Sequence, residues 1–497
     1  MLTQKLVLSY FTKIALQVIQ MVTSFVVARL VGPGVTGTIA YGLAYVSMFL
    51  FLSDLGLGSA HIKLVSEGQD EAKCIGTFAR LKLITTSLFA LVVLSFYLFQ
   101  KFIFHYHFES TSQEIVILIY LVITIVGQLT TIATTTWAGK TEQAKQDIPN
   151  FLQTLLYQIL RVIVAVLGFK AVEIVSSNLV AVIVSIPLYI YLFKGYKIGG
   201  YDKELAKKYF SISFPIIILL LAQTVIYSTD KVILQSMTNT TELGYYSASF
   251  TLASFIKTIE TSVGLLFFPL FSSYLAQNNV EKMNATLKKF ERFTMSFVLP
   301  FGLYLSVFSN LIIPVSYGSK FSNSIPIFSV VTIAMIISLL NLPYGNIIFG
   351  KGLFKLTAII WLITVSIFLI SAYVLVSPSL MNLRGVGMAY AILISNVSLS
   401  FFYLYFAKKH EKKLIILQGK QMMIFGMVFF ILFSFLYSGF QYNLLGKILM
   451  SVLFFTGFWG ISLLTGMIKK EDWMMILELI NVRKMKEYIR KELFRKN

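Results

Sequence analysis

Apolar stretches of 18 to 27 residues recur from one end of this chain to the other, each near the roughly 20 residues that a bilayer-spanning helix needs. No soluble domain is left over between them. The chain is 57% hydrophobic and only 13% charged, with a mean hydropathy of +0.78, far from the mix of about one-quarter charged residues in soluble domains. The fold class is therefore all-α, a polytopic membrane protein. The first stretch begins near Tyr10 and runs to Val31 with no small-residue cleavage site at its end. It is too long for a signal-peptide core and is expected as a mature helix.

Charge, Gly and Pro divide the sequence into fourteen expected spans, starting near Tyr10, Ile39, Leu81, Ile115, Phe151, Val172, Tyr209, Tyr245, Phe293, Ile327, Phe354, Arg384, Met422 and Lys447. With the N-terminus inside, 32 Lys and Arg, Lys82 at a span edge among them, fall on inner segments and 5 on outer ones. That excess satisfies the positive-inside rule and places both termini in the cytoplasm of a cell-membrane protein. The net charge of +20 lies at membrane edges, so nucleic acid is not an expected partner. The single cysteine, Cys74, falls in an expected cytoplasmic loop, which excludes disulfides and ordinary thiolate metal sites.

Five basic residues, Lys13, Arg29, Arg161, Lys231 and Lys257, and three acids, Asp54, Asp230 and Glu260, remain inside spans. An ionised group at the bilayer centre costs at least about 2.5 to 3.5 kcal/mol, so such residues rarely face lipid. Asp230 and Lys231 are adjacent, about 100° apart around a helix, and are not expected to neutralise each other. A shift of 207 residues lays Val31–Ala44 on Thr238–Thr251, with Gly37 on Gly244, Gln17 on Thr224, Gln20 on Tyr227 and Ser24 on Lys231. Each trio keeps to one helix face. Six spans separate the copies, so the halves are parallel, and facing polar stripes suggest two lobes around an aqueous cavity. The expected organisation is an N-terminal six-helix lobe over 1–200, a second over 201–407, two further helices over 408–468 and a basic tail over 469–497.

Arg29 to Glu67 (RLVGPGVTGTIAYGLAYVSMFLFLSDLGLGSAHIKLVSE), Ser228 to Ile256, Leu266 to Leu275 (LFFPLFSSYL), Ile312 to Phe328 and Gly385 to Asn396 resemble, in order and spacing, the polysaccharide transporter or oligosaccharidyl-lipid flippase family. The likeness covers the chain to about residue 407. It implies the multidrug, oligosaccharidyl-lipid and polysaccharide exporter superfamily, with two six-helix bundles in a V around a central cavity and two extra C-terminal helices. The implied activity is movement of a polyprenyl-phosphate- or diphosphate-linked glycan from the cytoplasmic to the outer leaflet by alternating access. It also implies cationic residues on the first, second, seventh and eighth helices. Here those are Lys13, Arg29, Lys231 and Lys257, while the second helix departs, with Asp54 and His61 but no Arg.

Carrying a phosphate through hydrocarbon is prohibitive by solvation energy, so the substrate needs a wet, cationic lane open sideways to its lipid tail. Arg29, Arg161, Lys231, Lys257 and Lys13 are the expected phosphate ligands, Arg through its bidentate fork and Lys as a point charge. Lys13 and Arg29 sit near span ends and serve equally well as headgroup anchors. Asp54, Asp230 and Glu260 either couple transport to H+ or Na+ or balance neighbouring cations. Gln17, Gln20, Gln128, Gln153, Tyr157 and Tyr227 are expected to face sugar, while Thr124, Thr131 and Thr135, on the same stripe as Gln128, are better suited to bonding their own helix carbonyls and to helix packing. Pro343, in NLPYGN, is the expected hinge, and Gly56 and Gly58 read as hinge or close-packing glycines rather than a nucleotide loop. HYHFE (His105 to Glu109) lacks a convergent further ligand, so no metal is expected. From Lys469 the tail alternates apolar and basic residues at helical spacing and is expected on anionic inner-leaflet lipids, with recruitment of a glycan-assembly enzyme as the alternative. A monomer without a cofactor is expected. The rival activities are a cation-coupled drug antiporter, which calls for an anionic cavity, and a polytopic glycan polymerase or ligase, which calls for a larger extramembrane segment.

Overall fold

A computed structural model describes residues 2–105, 107–417, 419–439 and 443–468. Side chains at 2–14, 215–216, 218–220, 222–223, 225–227, 259, 261–266 and 268–269 lie outside that description, as does the tail expected from Lys469. The described residues are helical, with turns and short loops and no strand. In chain order the helices are α1 (Leu2–Ser47), α2 (Phe51–Asp54), α3 (Leu57–Ser66), α4 (Glu71–Phe102), α5 (Thr111–Gly139), α6 (Gln143–Val166), α7 (Ala171–Phe193), α8 (Lys203–Met237) and α9 (Thr240–Ala276). Then follow α10 (Val280–Phe293), α11 (Leu299–Val307), α12 (Ser309–Tyr317), α13 (Ser324–Gly350), α14 (Phe354–Val376), α15 (Arg384–His410), α16 (Lys420–Ser438) and α17 (Leu444–Leu464).

Ten of these helices are long and apolar enough to cross a membrane, and the pair α10–α11 with α12, bent by 76°, makes an eleventh. The expected spans from Tyr209 and Tyr245 correspond to α8 and α9, which contain residues whose side chains are outside the description. The expected span from Ile39 is not one helix: it is divided among the end of α1, α2 and α3. Polar residues at the ends of apolar runs start the helices. Asp70 accepts from the Lys73 amide, Ser110 from Gln113, Asp202 from Glu204 and Leu205, and Asn279 from Lys282, each satisfying a donor that the first helical turn leaves free. Inside α1, Gly32 takes φ 81° and ψ 177° ahead of Pro33, a left-handed break that ends the first membrane helix where the sequence placed its end. Cys74 is not in a loop; it is buried in the first turn of α4.

By their contacts the described residues up to Ser247 form one compact unit and those from Ala248 onward another. α8 packs on α1, α3 and α4 and so belongs with the first unit. There the two segments that the internal repeat lays on each other meet. A Cβ on Gly37 would lie 1.8 Å from the Thr240 carbonyl oxygen, and one on Gly244 would lie 1.9 Å from that of Pro33. Only glycine permits so close a backbone approach. Glu109 fastens the same corner: it accepts from the Thr240 amide at 3.0 Å, from the Thr240 hydroxyl and from Gln235 Nε2 at 2.9 Å. The acid of HYHFE thus caps the start of α9, where the helix dipole favours an anion.

In the second unit, a π-helical turn over Thr294–Val298 joins α10 to α11. Pro300 follows it and has no amide hydrogen, so the Ser296 carbonyl four residues back lacks its helical donor. Trp459 of α17 supplies the replacement, its indole N–H lying 3.1 Å from the Ser296 oxygen. The two C-terminal helices therefore do more than pad the bundle, since one of them satisfies the break in the α10–α11 span. Trp459 is held there by Phe455, which packs on Tyr304 of α11.

Candidate functional site

The interior charges divide into paired and unpaired. Asp230 is fully buried, and Lys231 lies 3.2 Å from it while the Tyr246 hydroxyl donates to its Oδ2 at 2.6 Å. The expectation that neighbours 100° apart do not neutralise each other is corrected: the four-carbon lysine stem folds back to its own neighbour. In the second unit, Lys257 lies 2.7 Å from Glu260, one helical turn on, and the Ser338 hydroxyl donates to the other Glu260 oxygen at 2.9 Å. Asp54 pairs with Lys82 at 2.9 Å, and the lysine side chain is 1% exposed. Lys82 is therefore an interior cation and not the span-edge residue expected. A further acid missed inside the protein is Glu291, buried on α10, which accepts from Tyr344 Oη and from the Gly419 amide at 3.0 Å.

Arg161 differs from the lysines. It is half-buried on α6, and among the described residues no carboxylate pairs with it. Its Nη2 donates to the Thr23 hydroxyl at 2.6 Å and to the Gln20 carbonyl at 3.1 Å, both on α1, and its guanidinium lies 5.4 Å from the Tyr157 ring centre. Thr23 passes its own hydrogen to Gln158 Oε1 at 2.7 Å. The Arg161 Nε is buried without a hydrogen-bond partner among the described residues. Among the described residues its partners are neutral oxygens and an aromatic face, and one of its donors is unspent.

The other expected residues are placed unevenly. Gln17 and Gln128 are half-buried and Gln20 is exposed. Beside Gln128, a Cβ added to Gly127 would meet nothing within 4 Å, so α5 faces open space at that level. Gln153 instead accepts from Ser185 of α7 at 3.0 Å, and Thr124, Thr131 and Thr135 bond carbonyls of their own helix. Arg29 is exposed at the end of the first helical segment. The side chains of Lys13 and Tyr227 lie outside the described residues. Pro343 is buried within α13, which continues through it, and the neighbouring Asn341 donates to the Asn396 carbonyl of α15 at 3.2 Å. A 76° bend in this unit falls next to Phe308. His61 is fully buried, 2.6 Å from Tyr209 Oη and 2.9 Å from Thr136 Oγ1 and stacked on Phe78, as a structural histidine.

At the turn between α5 and α6, Glu142 pairs with Lys145 at 3.0 Å and accepts from Tyr196 Oη, while Lys140 pairs with Glu71 at 2.9 Å. Burial alone would raise the Glu142 carboxyl, but the hydrogen bonds from Tyr196 and Lys145 outweigh it and hold the group below the usual carboxylate range.

Solved structures share this arrangement of helices. A lipid II flippase, MurJ, in an inward closed conformation superposes with a TM-score of 0.68 at 16% identity, over 92% of this chain and 98% of that one. An inward-facing multidrug resistance MATE family transporter of the MOP superfamily gives 0.63 at 13% identity, over 80% and 94%. A MOP superfamily transporter from Pyrococcus furiosus, described as having a binding pocket of reverse polarity, gives 0.55 at 13% identity over 82% and 95%. The fold is thus that of the MOP-superfamily membrane transporters, an integral multi-pass architecture. The chain belongs to the polysaccharide biosynthesis protein family, whose model matches residues 26–326. No curated protein matches the sequence significantly.

Proposed function

We propose that this protein flips a polyprenyl-phosphate- or diphosphate-linked oligosaccharide from the cytoplasmic to the outer leaflet by alternating access, with Arg161 among the groups that meet the phosphate. The observation that carries this reading is the contrast inside the membrane region: Lys82, Lys231 and Lys257 each face a carboxylate, whereas among the described residues Arg161 faces only neutral partners. An anionic headgroup gains most at the uncompensated cation, where water is partly excluded. The three acids expected within spans, Asp54, Asp230 and Glu260, each pair with a lysine, and Glu291 is taken up by the Tyr344 hydroxyl and the Gly419 amide, which speaks against the drug-antiporter alternative, since that needs a carboxylate left for a cationic substrate. In this reading both termini are cytoplasmic, H+ or Na+ drives the cycle, glycan-assembly enzymes deliver the substrate, and the protein acts as a monomer. Family membership supports the glycan and the MurJ-like fold supports the lipid carrier.

Binding of a short-chain polyprenyl diphosphate sugar to the detergent-purified protein tests the assignment. Loss of a charge-assisted hydrogen bond of about 1.5 to 3 kcal/mol in Arg161→Ala weakens binding by about 10- to 100-fold. Arg161→Lys retains part of the affinity. Unchanged binding in Arg161→Ala refutes the role.

A further inference from the structure

A cavity of about 340 Å³ opens in the second unit at the end where α9, α13 and α15 all stop, within the roughly 300 to 1,000 Å³ of small-molecule sites. Both α13 and α15 are long and apolar enough to cross a membrane, so this end lies at the depth of lipid headgroups. The charged lining is a single ion pair: Lys351, just past α13, lies 2.8 Å from Glu411 Oε2, just past α15, and donates also to the His410 carbonyl. A lysine ammonium has three hydrogens, so one is left over. Among the described residues no hydrogen bond reaches Glu411 Oε1, and the side chains of Ser272, Tyr274 and Asn278, which line the cavity from α9 and the turn after it, make none. A Cβ on Gly350 would lie 3.2 Å from Ser272 Oγ and from a Leu275 methyl, so α13 and α9 touch beside the cavity, and buried Met283 of α10 adds an apolar wall.

We propose that this cavity binds a zwitterionic aminophosphate, a phosphate ester bearing a primary ammonium, either as an ethanolamine phospholipid headgroup or as the free ester. The lining ion pair sums to no charge, so a lone anion or a lone cation competes with one partner and strands the other. A ligand that carries both signs leaves the pair intact: the spare Lys351 hydrogen and the Ser272 hydroxyl meet the phosphate, and Glu411 Oε1, Asn278 Oδ1 and Tyr274 Oη offer an acceptor for each of the three ammonium hydrogens. The ammonium is favoured here on a second ground, because three helices end at this cavity and their last carbonyls carry partial negative charge. A trimethylated ammonium has no hydrogen to give and loses these bonds. An ion pair that served only to clasp α13 to α15 would not require three unpartnered polar side chains on α9 and its turn to face the same space.

The full-length protein, purified in dodecyl maltoside, is titrated by calorimetry with dihexanoyl phosphatidylethanolamine, phosphatidylcholine and phosphatidylglycerol, and with free phosphoethanolamine. The ethanolamine lipid is expected to bind tighter than the other two by about 10-fold or more, since the choline head offers no hydrogen and the glycerol head no positive charge. Tyr274→Phe removes a hydroxyl without a partner among the described residues, so it is expected to melt as the wild type does and to bind the ethanolamine lipid about 2- to 10-fold more weakly. Glu411→Gln is expected to erase the preference for ethanolamine over choline; should that variant not fold, Tyr274→Phe decides alone. Free phosphoethanolamine binding as tightly as the lipid upholds the chemistry and assigns the site to a soluble ester, whereas binding of the lipid alone upholds it and assigns the site to the membrane headgroup. Equal binding of the ethanolamine lipid and either other lipid, a preference unchanged in Glu411→Gln, or wild-type affinity in Tyr274→Phe overturns the proposal. No polyprenyl-linked glycan takes part in this experiment, so its failure leaves the role of Arg161 standing.

Discussion

Trp459→Phe is the most informative single change in the second unit, because it removes one hydrogen and leaves most of an aromatic ring. In the wild type the indole N–H lies 3.1 Å from the Ser296 oxygen, which Pro300 deprives of a helical donor. Leaving that oxygen unpaired costs about 1 to 3 kcal/mol where water is excluded. The smaller ring costs a further fraction of that through lost contact with Phe455. The two parts separate in a Pro300→Ala background, where residue 300 regains an amide hydrogen directed at the same carbonyl. There the hydrogen-bond part of the Trp459→Phe cost disappears, giving a coupling energy of about 1 to 2 kcal/mol in a double-mutant cycle. Reversible unfolding in mixed detergent micelles measures the four stabilities, and hydrogen exchange after the π-helical turn locates the effect. Equal losses in both backgrounds refute the reasoning, since they would mean that Trp459 stabilises through packing alone.

Three further outcomes follow from the geometry. Gly244→Ala places a methyl group 1.9 Å from the Pro33 oxygen, so the backbones of the repeated corner must part; melting is expected to fall by the equivalent of about 1 to 3 kcal/mol, with Gly37→Ala alike and the double variant less than additive. Lys257→Met and Glu260→Gln are each expected to destabilise more than the pair together, because each leaves a partly buried charge without its partner; additive losses in thermal melts count against the pair. At Glu142 the folded carboxyl titrates below its unfolded value, so its contribution is complete above the ordinary carboxylate pKa and lost as pH falls through the lowered one. Glu142→Gln is therefore expected to lower the melting temperature near neutral pH and to make no difference once the pH is low enough to protonate the lowered carboxyl, and an equal offset at both contradicts the assignment.

Much of the architecture was legible because membrane helices announce themselves locally. VGPG contains both the left-handed glycine and the proline that end the first span, and the paired glycines at 37 and 244 were found by the repeat before their contact was known. Side-chain reach and contacts between distant helices were not legible. Lys82 looked like a membrane-edge residue because the sequence does not show that α4 turns it toward Asp54, 28 positions earlier. Asp230 and Lys231 were separated by the angle of a helix, a rule for Cβ directions that a long flexible stem evades. Trp459 and Ser296 lie 163 residues apart, and no local pattern marks an indole as the donor for a proline's orphaned carbonyl. Arg161 is marked in the sequence by its distance from either helix end, too far to reach headgroups, but its contacts with Thr23 and Gln20 of α1 are not.

The central claim is that this protein carries an anionic lipid-linked glycan past an uncompensated arginine. Reconstituted into vesicles with a fluorescent polyprenyl diphosphate sugar, the wild type is expected to expose inner-leaflet label to an external quencher rapidly, while Arg161→Glu, folded to the same melting temperature, leaves the inner half protected. Equal exposure by both proteins, or by neither above the rate of empty vesicles, contradicts it.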